Sequence, residues 1–319
     1  MSLLQVDDLR IYYKSKLGDY KSVDGVTFEV YENEIFGIAG ESGCGKSTLV
    51  EGILGLVQLP GYIKSGKVLF QGKDILNLKE EKRRALRWVD FSYIPQGSMN
   101  SLNPVLKIEE QMLDVISAHT NIPTKKAKEI ATSSLKETNL PVKVLGMYPH
   151  ELSGGMKQRV IIAMSTLLKP KLVVADEPVT ALDVLVQKII LQSIADLKNS
   201  HHMTVILVAH DMAIHAEVVD RLAIMYAGKI MEIGKVHDVF KNTLHPYTKC
   251  LIMAIPEIGN KTIKSIPGLS PSPLNWPGGC RFHPRCPYAF ESCTRSEPTL
   301  AKISSDHYAA CHLLGESKP

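Results

Sequence analysis

Gly40-Glu-Ser-Gly-Cys-Gly45-Lys46-Ser47 is the stretch that decides the fold. It matches G-x-x-x-x-G-K-[ST] at every fixed position. An apolar run, Ile35-Phe-Gly-Ile-Ala39, precedes it and reads as a strand buried on both faces. A helix is expected after it, from about Lys46 to Gly55. Glycines let such a loop curl until successive N–H groups point inward at phosphate oxygens, and the helix N-terminus favours the anion. The pattern predicts a nucleotide-phosphate cradle of Ser42, Gly43, Cys44, Gly45, Lys46, Ser47 and Thr48. Lys46 is placed to reach the β- and γ-phosphates, Ser47 to give its hydroxyl to Mg2+, and Thr48 to add a phosphate contact. Cys44 reads as a small filler residue.

A phosphate cradle needs an acidic partner downstream. Lys171-Leu-Val-Val-Ala-Asp176-Glu177-Pro178 supplies one: an apolar strand that ends in two carboxylates. The first, Asp176, is expected to hold Mg2+, and the second, Glu177, to polarise the attacking water. Val205-Ile-Leu-Val-Ala209 is a second apolar run, and His210 behind it can sense or orient the γ-phosphate. Gln96 follows Tyr93-Ile-Pro95 and could coordinate Mg2+ through its amide. The weight of Gln96 and His210 comes from their arriving in this order along the chain.

The rest of the chain fits an α/β core. Residues 1–40 read as strands, 65–76 as a further hairpin and Ser92 to Pro95 as a short strand. From 105 to 165 apolar residues recur at helical spacing, so a helical insert is expected over about 97–165. Buried-strand runs return at 171–175 and 205–209 with a helix near Val184–Asn199 between them, which implies a parallel sheet. Beyond about 240 proline, cysteine and glycine concentrate, and prolines 246, 256, 267, 271, 273, 277, 284 and 287 break any long helix. A domain of residues 1–240 is therefore expected, followed by a smaller one over 241–319.

A formal net charge of +4 is too weak to argue for nucleic acid. No apolar run approaches the roughly 18–20 residues of a membrane helix. MSLLQVDDLR is acidic where a signal peptide is basic. The protein is expected in the cytosol, serving a membrane only by docking to other subunits.

Four of the six cysteines, Cys280, Cys286, Cys293 and Cys311, lie in the last forty residues. Without a secretion signal such a cluster reads as metal ligation before disulfides. The spacing C-x5-C-x6-C-x17-C has no C-x2-C knuckle, and thiolate softness alone leaves zinc and a 4Fe–4S cluster both open. Cys250, in an expected helix, reads as core, and His283, His307 and His312 as structural.

Leu152-Ser153-Gly154-Gly155-Met156-Lys-Gln158-Arg159 completes the set. It resembles the LSGGQ signature of ABC-transporter ATP-binding subunits, with Met156 at the position usually held by Gln. The resemblance covers roughly residues 3–240 and implies a P-loop NTPase (RecA-like) parallel-sheet core with an N-terminal antiparallel β subdomain, a helical insert and a small Cys/Pro-rich C-terminal domain. It implies that Ser153, Gly154, Gly155 and Met156 close over ATP held by the opposite subunit. Gln96 resembles the Q-loop, Ala181-Leu182-Asp183 the D-loop and His210 the switch histidine. An aromatic stacks on adenine in the family; Tyr13 is assigned, with Tyr20 as the alternative.

The tail resembles a narrower group. His245-Pro-Tyr-Thr248, Gly279-Cys280-Arg-Phe-His-Pro-Arg-Cys286-Pro287, Cys293 and His307…Cys311 resemble the oligopeptide/dipeptide importer ATPases, as does Glu177-Pro-Val-Thr-Ala-Leu-Asp183-Val. That resemblance implies a 4Fe–4S cluster on the four cysteines. It also implies ATP hydrolysis coupled to peptide import at the cytoplasmic face of the membrane. The implied partners are a second ATPase chain, identical or different, two transmembrane permease subunits and, indirectly, an extracytoplasmic substrate-binding protein. Nickel and oligosaccharide importers share the subfamily. A soluble non-transport ABC ATPase usually carries two cassettes or a coiled-coil insert, and this chain has neither.

Overall fold

The computed structural model of the chain describes residues 1–255 and 266–315; Pro256 lies outside the described residues. The chain forms two compact units. The first comprises Met1–Tyr31, Phe36–Asn77 and Ala209–Pro319, and the second Glu32–Ile35 and Leu78–Val208.

The first unit starts with a long antiparallel ribbon, β1 (Ser2–Ser15) and β2 (Gly18–Tyr31), in a register that sets Val6 opposite Phe28 and Tyr13 opposite Tyr20. Then come β3 (Ile35–Ala39), buried at all five positions, and α1 (Lys46–Ile53). β4 (Gly61–Phe70) and β5 (Lys73–Asp74) complete a four-stranded sheet in the order β2-β1-β4-β5. Leu4, Leu9, Ile11, Val26 and Val30 are its buried face.

The second unit begins with α2 (Glu80–Leu86) and β6 (Phe91–Ile94). The expected helical insert consists of α3 (Ile108–His119), α4 (Thr124–Glu137), short 3-10 turns and α5 (Gly154–Thr166). β7 (Leu172–Asp176), α6 (Val184–His201) and β8 (Thr204–Val208) follow. β6 and β8 both run parallel to β7, and every residue of β7 and β8 is buried. That is why these runs read as continuously apolar rather than alternating.

The chain then returns to the first unit through α7 (Met212–Val218), β9 (Arg221–Tyr226), β10 (Lys229–Lys235), α8 (Val236–Lys241) and α9 (Pro246–Met253). α10 (Glu291–Arg295), β11 (Ala301–Ser304) and β12 (His307–Ala309) close it. β9 pairs parallel with β3, and the order continues outward as β9-β10-β12-β11. Strands β9 to β12 were not among the sequence expectations. β9 carries no alternation because all six residues are buried, and β12 is only three residues long.

Fully buried Glu232 on β10 pins the tail. It accepts the N–H groups of Leu244 and His245 at 3.0 and 2.9 Å, and His307 Nε2 lies 2.8 Å from Oε1, the oxygen that also takes Leu244. Gly234 leaves room for that ring: a Cβ there would sit 2.7 Å from His307 Cδ2. Pro246 occupies the first turn of α9, where its missing N–H has no helical partner to lose.

Candidate functional site: a phosphate loop and an acidic strand end

In the first unit the phosphate loop runs between β3 and α1, as the motif requires. Two glycines are obligatory there. A Cβ on Gly40, at φ 154°, would meet Met225 O at 2.1 Å, and one on Gly45, at φ 106°, would meet Ser22 O at 2.2 Å. Gly45 also stands at the N-cap of α1 with no side-chain cap, so the first-turn N–H groups are left for an anion. Ser42 and Gly43 are exposed, while Cys44 and Lys46 are buried. Lys46 Nζ bonds the carbonyls of Gly40 and Glu41 at 2.8 and 3.0 Å, and Cys44 Sγ lies 3.9 Å from it.

The Thr48 hydroxyl lies 3.3 Å from the Tyr13 hydroxyl and accepts a bond from Ser22 at 3.1 Å. Tyr13 therefore stands beside the loop, and Tyr20 is its register partner across the ribbon. His210 is exposed just before α7, whose N-cap Asp211 accepts the Ala213 N–H at 2.8 Å.

In the second unit Asp176 ends β7, 1% exposed, with the Tyr93 hydroxyl 3.5 Å from Oδ2. Glu177 follows at φ 49°, a left-handed conformation that costs a non-glycine residue energy and is held by its N–H bond to Val208 O at 2.9 Å. The turn aims its carboxylate at two donors, Gln96 Nε2 at 2.9 Å and the Thr180 hydroxyl at 3.0 Å. Gln96 and Glu177 thus meet, although 81 residues separate them.

The signature segment lies in the same unit. Ser153 caps α5 by accepting the Met156 N–H at 3.3 Å, and Ser153 and Gly154 are exposed. Asp183 caps α6 in the same manner, accepting from Val186 N at 3.0 Å. The two caps are neighbours. A Cβ on Gly155 would sit 2.6 Å from Val186 Cγ1, and one on Gly154 3.5 Å from Leu182 Cδ2. A link that the sequence reading did not include ties this helix to the segment behind Gln96. Buried Ser98 donates to Gln158 Oε1 at 3.1 Å.

Among the described residues, no three His, Cys, Asp or Glu side chains converge to hold a metal ion. Cys280, Cys286, Cys293 and Cys311 are free thiols, and the Cys280 N–H bonds the Cys293 carbonyl at 2.8 Å. Burial pushes the Cys280, Cys286 and Cys311 thiols up, Cys311 to about 11, and the charge of neighbouring cysteines adds to each rise. Cys250 is half-buried on α9. The histidines of the tail bond protein: His283 Nδ1 faces Cys280 O at 2.9 Å, and His312 Nε2 faces Ser296 O at 2.9 Å.

Comparison with known proteins matches this arrangement. Residues 23–180 match the ABC transporter family, and residues 231–293 match the C-terminal region of the oligopeptide/dipeptide transporter family. The dipeptide transport ATP-binding protein DppD of Caldanaerobacter subterraneus is 42% identical over 99% of this chain and 98% of its own length. The oligopeptide transport ATP-binding protein OppD of Escherichia coli is 41% identical over 97% of this chain and 93% of its own. A solved ATP-binding cassette, a dimer in a post-hydrolysis state bound to ADP and Pi, superposes with a TM-score of 0.66 at 25% identity, covering 73% of this chain and 98% of that one. With its phosphate loop, acidic strand end, signature helix and tail all in place, the chain belongs to the ABC transporter family of ATPases, in the branch that carries the oligopeptide/dipeptide transporter C-terminal region.

Proposed function

We propose that the chain is the ATP-hydrolysing subunit of an importer for dipeptides or oligopeptides. The observation that carries this reading is the Gln96–Glu177 contact at the end of β7, in a chain that also has an intact phosphate loop and a signature that keeps Ser153, Gly154 and Gly155. The peptide cargo rests on the relatives' names and on the tail they share with this chain.

The roles follow from chemistry. The N–H groups from Ser42 to Thr48 bind phosphate oxygens, and Lys46 leaves the carbonyls of Gly40 and Glu41 to bind the β- and γ-phosphates. Tyr13, or Tyr20 opposite it, stacks on adenine. Ser47, Gln96 and Asp176 are the residues that would hold Mg2+, an ion that neutralises phosphate charge when bound. Their all-oxygen donor set suits that hard cation. Glu177 accepts the proton of the attacking water, oriented by Gln96 and Thr180. His210 bonds the γ-phosphate. The exposed N-terminus of α5, with Ser153, Gly154, Gly155 and Met156, is offered in trans to ATP on a second ATPase chain, with Asp183 beside it.

Two permease subunits would turn this cycle into transport at the cytoplasmic face of the membrane. No described helix is long and apolar enough to cross a membrane. A 4Fe–4S cluster is the finer proposal for the tail. Cys280, Cys286, Cys293 and Cys311 would hold it, and the support is the tail's resemblance to the oligopeptide/dipeptide importer ATPases, whose C-terminal region model spans the first three of these cysteines. A cluster would require all four as thiolates. Metal analysis with a visible spectrum on anaerobically purified protein decides this: about four irons per chain support it, while zinc or no metal removes it.

The transport reading is tested by reconstituting the chain with its permeases and binding protein in vesicles. ATP-dependent uptake of a di- or tripeptide is expected. Uptake of nickel or an oligosaccharide instead would overturn the peptide assignment and leave the ATPase role standing.

A further inference from the structure

The segment between Cys280 and Cys286 carries two arginines, and both reach into the body of the first unit. Arg281 makes a buried ion pair with Asp24 of β2, donates to Ala227 O and lies 5.1 Å over the Trp276 ring. Arg285 reaches the phosphate loop itself. Its guanidinium grips Glu41 as a fork, Nη1 to Oε2 at 2.8 Å and Nη2 to Oε1 at 2.9 Å. Nη1 also bonds the Tyr226 hydroxyl at 3.2 Å, and Nε bonds Pro267 O at 2.7 Å. The Arg285 side chain is 6% exposed.

Glu41 is the second residue of the loop, and every polar group it has is held. Arg285 takes the carboxylate. The Tyr247 hydroxyl accepts the N–H at 2.9 Å, and Lys46 Nζ bonds the carbonyl at 3.0 Å. Tyr247 is fixed in turn by a buried aromatic nest, with ring centroids 4.5 Å from Tyr226 and 5.3 Å from Phe282.

These tethers differ in what happens when a nucleotide arrives. The Lys46 tether lies within the loop, and phosphate must break it to recruit the ammonium. The Arg285 and Tyr247 tethers come from the tail and survive binding. A bidentate arginine–carboxylate pair is strong and directional, and it cancels a negative charge that would otherwise stand beside incoming phosphates. Donors fixed in advance bind an anion without paying an ordering cost.

We infer that Arg285 is a positioning residue for nucleotide binding: through its fork on Glu41, the cysteine-bearing tail holds the phosphate loop in its receptive shape and neutralises the loop's own carboxylate. This rests on the reading of Gly40–Ser47 as the ATP phosphate site. The roles proposed for the loop residues do not require a residue some 240 positions downstream.

The test is equilibrium binding of a fluorescent ATP analogue with Mg2+ to the full chain, with melting temperature measured in parallel. Arg285→Met is expected to weaken binding by about tenfold or more, because it leaves Glu41 charged and untethered. Arg285→Lys, which keeps charge and loses the fork, is expected to fall between. Adding Glu41→Gln to Arg285→Met is expected to recover most of the loss, which a general folding defect would not do. Unchanged affinity in Arg285→Met and Arg285→Lys, or a loss that Glu41→Gln leaves untouched, overturns the inference. Failure of the parent chain to bind the analogue would instead overturn the ATP reading beneath it.

Discussion

The Gln96 side-chain amide donates to the Glu177 carboxylate, Nε2 to Oε2 at 2.9 Å. Glu177 sits in a left-handed turn and shares its Oε2 with the Thr180 hydroxyl at 3.0 Å. The amide therefore fixes the direction in which the proposed base faces. Gln96→Ala should lower the ATPase turnover by about 10²-fold through misplacement of the base, with ATP affinity within about threefold of the parent. Steady-state rates and binding measured side by side check this. An unchanged turnover would mean that the contact positions nothing.

The neighbouring caps of α5 and α6 predict a steric effect. A Cβ on Gly155 lands 2.6 Å from Val186 Cγ1. Gly155→Ala should destabilise the chain by about 1–3 kcal/mol, the usual range for overpacking. Val186→Ala in the same chain should relieve most of it. Urea midpoints of the two single variants and the double decide the point, and additive losses would contradict it.

Ser98 and Gln158 form a buried pair at 3.1 Å, and Gln158 Nε2 is itself buried without a bond. Ser98→Ala would leave both polar atoms of that amide unsatisfied. A loss of about 1–3 kcal/mol is expected. Gln158→Leu in the Ser98→Ala background should restore part of it, as read by chemical denaturation. A double variant no more stable than Ser98→Ala would refute this account of the pair.

Two buried histidines make the fold acid-sensitive. Desolvation holds His215 and His245 down to about 4 from an ordinary value of 6.5, against smaller opposing contributions. The unfolded chain therefore takes up protons below 6.5 that the folded chain refuses until about 4. Stability is unaffected above 6.5 and falls across that window, by about 1.4 kcal/mol per pH unit for each histidine. The His215 ring lies over Gly37, where a Cβ would be 2.6 Å from Nδ1, so a planar apolar replacement fits best. His215→Phe should flatten the decline between pH 6.5 and 4 in denaturation midpoints. An identical slope in the variant would rule this out.

Most of the candidate site was legible in the sequence because it is built from local runs. Gly40 to Ser47, Ser153 to Met156 and Asp176-Glu177 are short runs whose backbone geometry depends on their own glycines, caps and flanking strands. Their strands were equally legible, since β3, β7 and β8 are buried on both faces and read as unbroken apolar runs. What was not legible depends on distant pairing. Neither Arg285 nor Glu41 carries a signal that they meet, and nothing in a run of three residues identifies β12 before Glu232 and His307 are seen to pair. The HPYT and CRFHPRC segments were noticed as motifs, yet their shared purpose, an aromatic nest under the phosphate loop, appears only in three dimensions. The cysteine cluster was legible as a group, but its spacing left zinc and a 4Fe–4S cluster open, and among the described residues no metal-holding group is assembled.

Glu177 is the proposed base of ATP hydrolysis, and phosphate release from ATP reads its role without an intermediary. The parent and Glu177→Gln chains would each be assembled with the partner ATPase and permease subunits and supplied with ATP and Mg2+. Phosphate release is expected to fall by at least about 10²-fold in Glu177→Gln, with ATP still bound. Equal rates in the two assemblies would contradict it and remove Glu177 from the reaction.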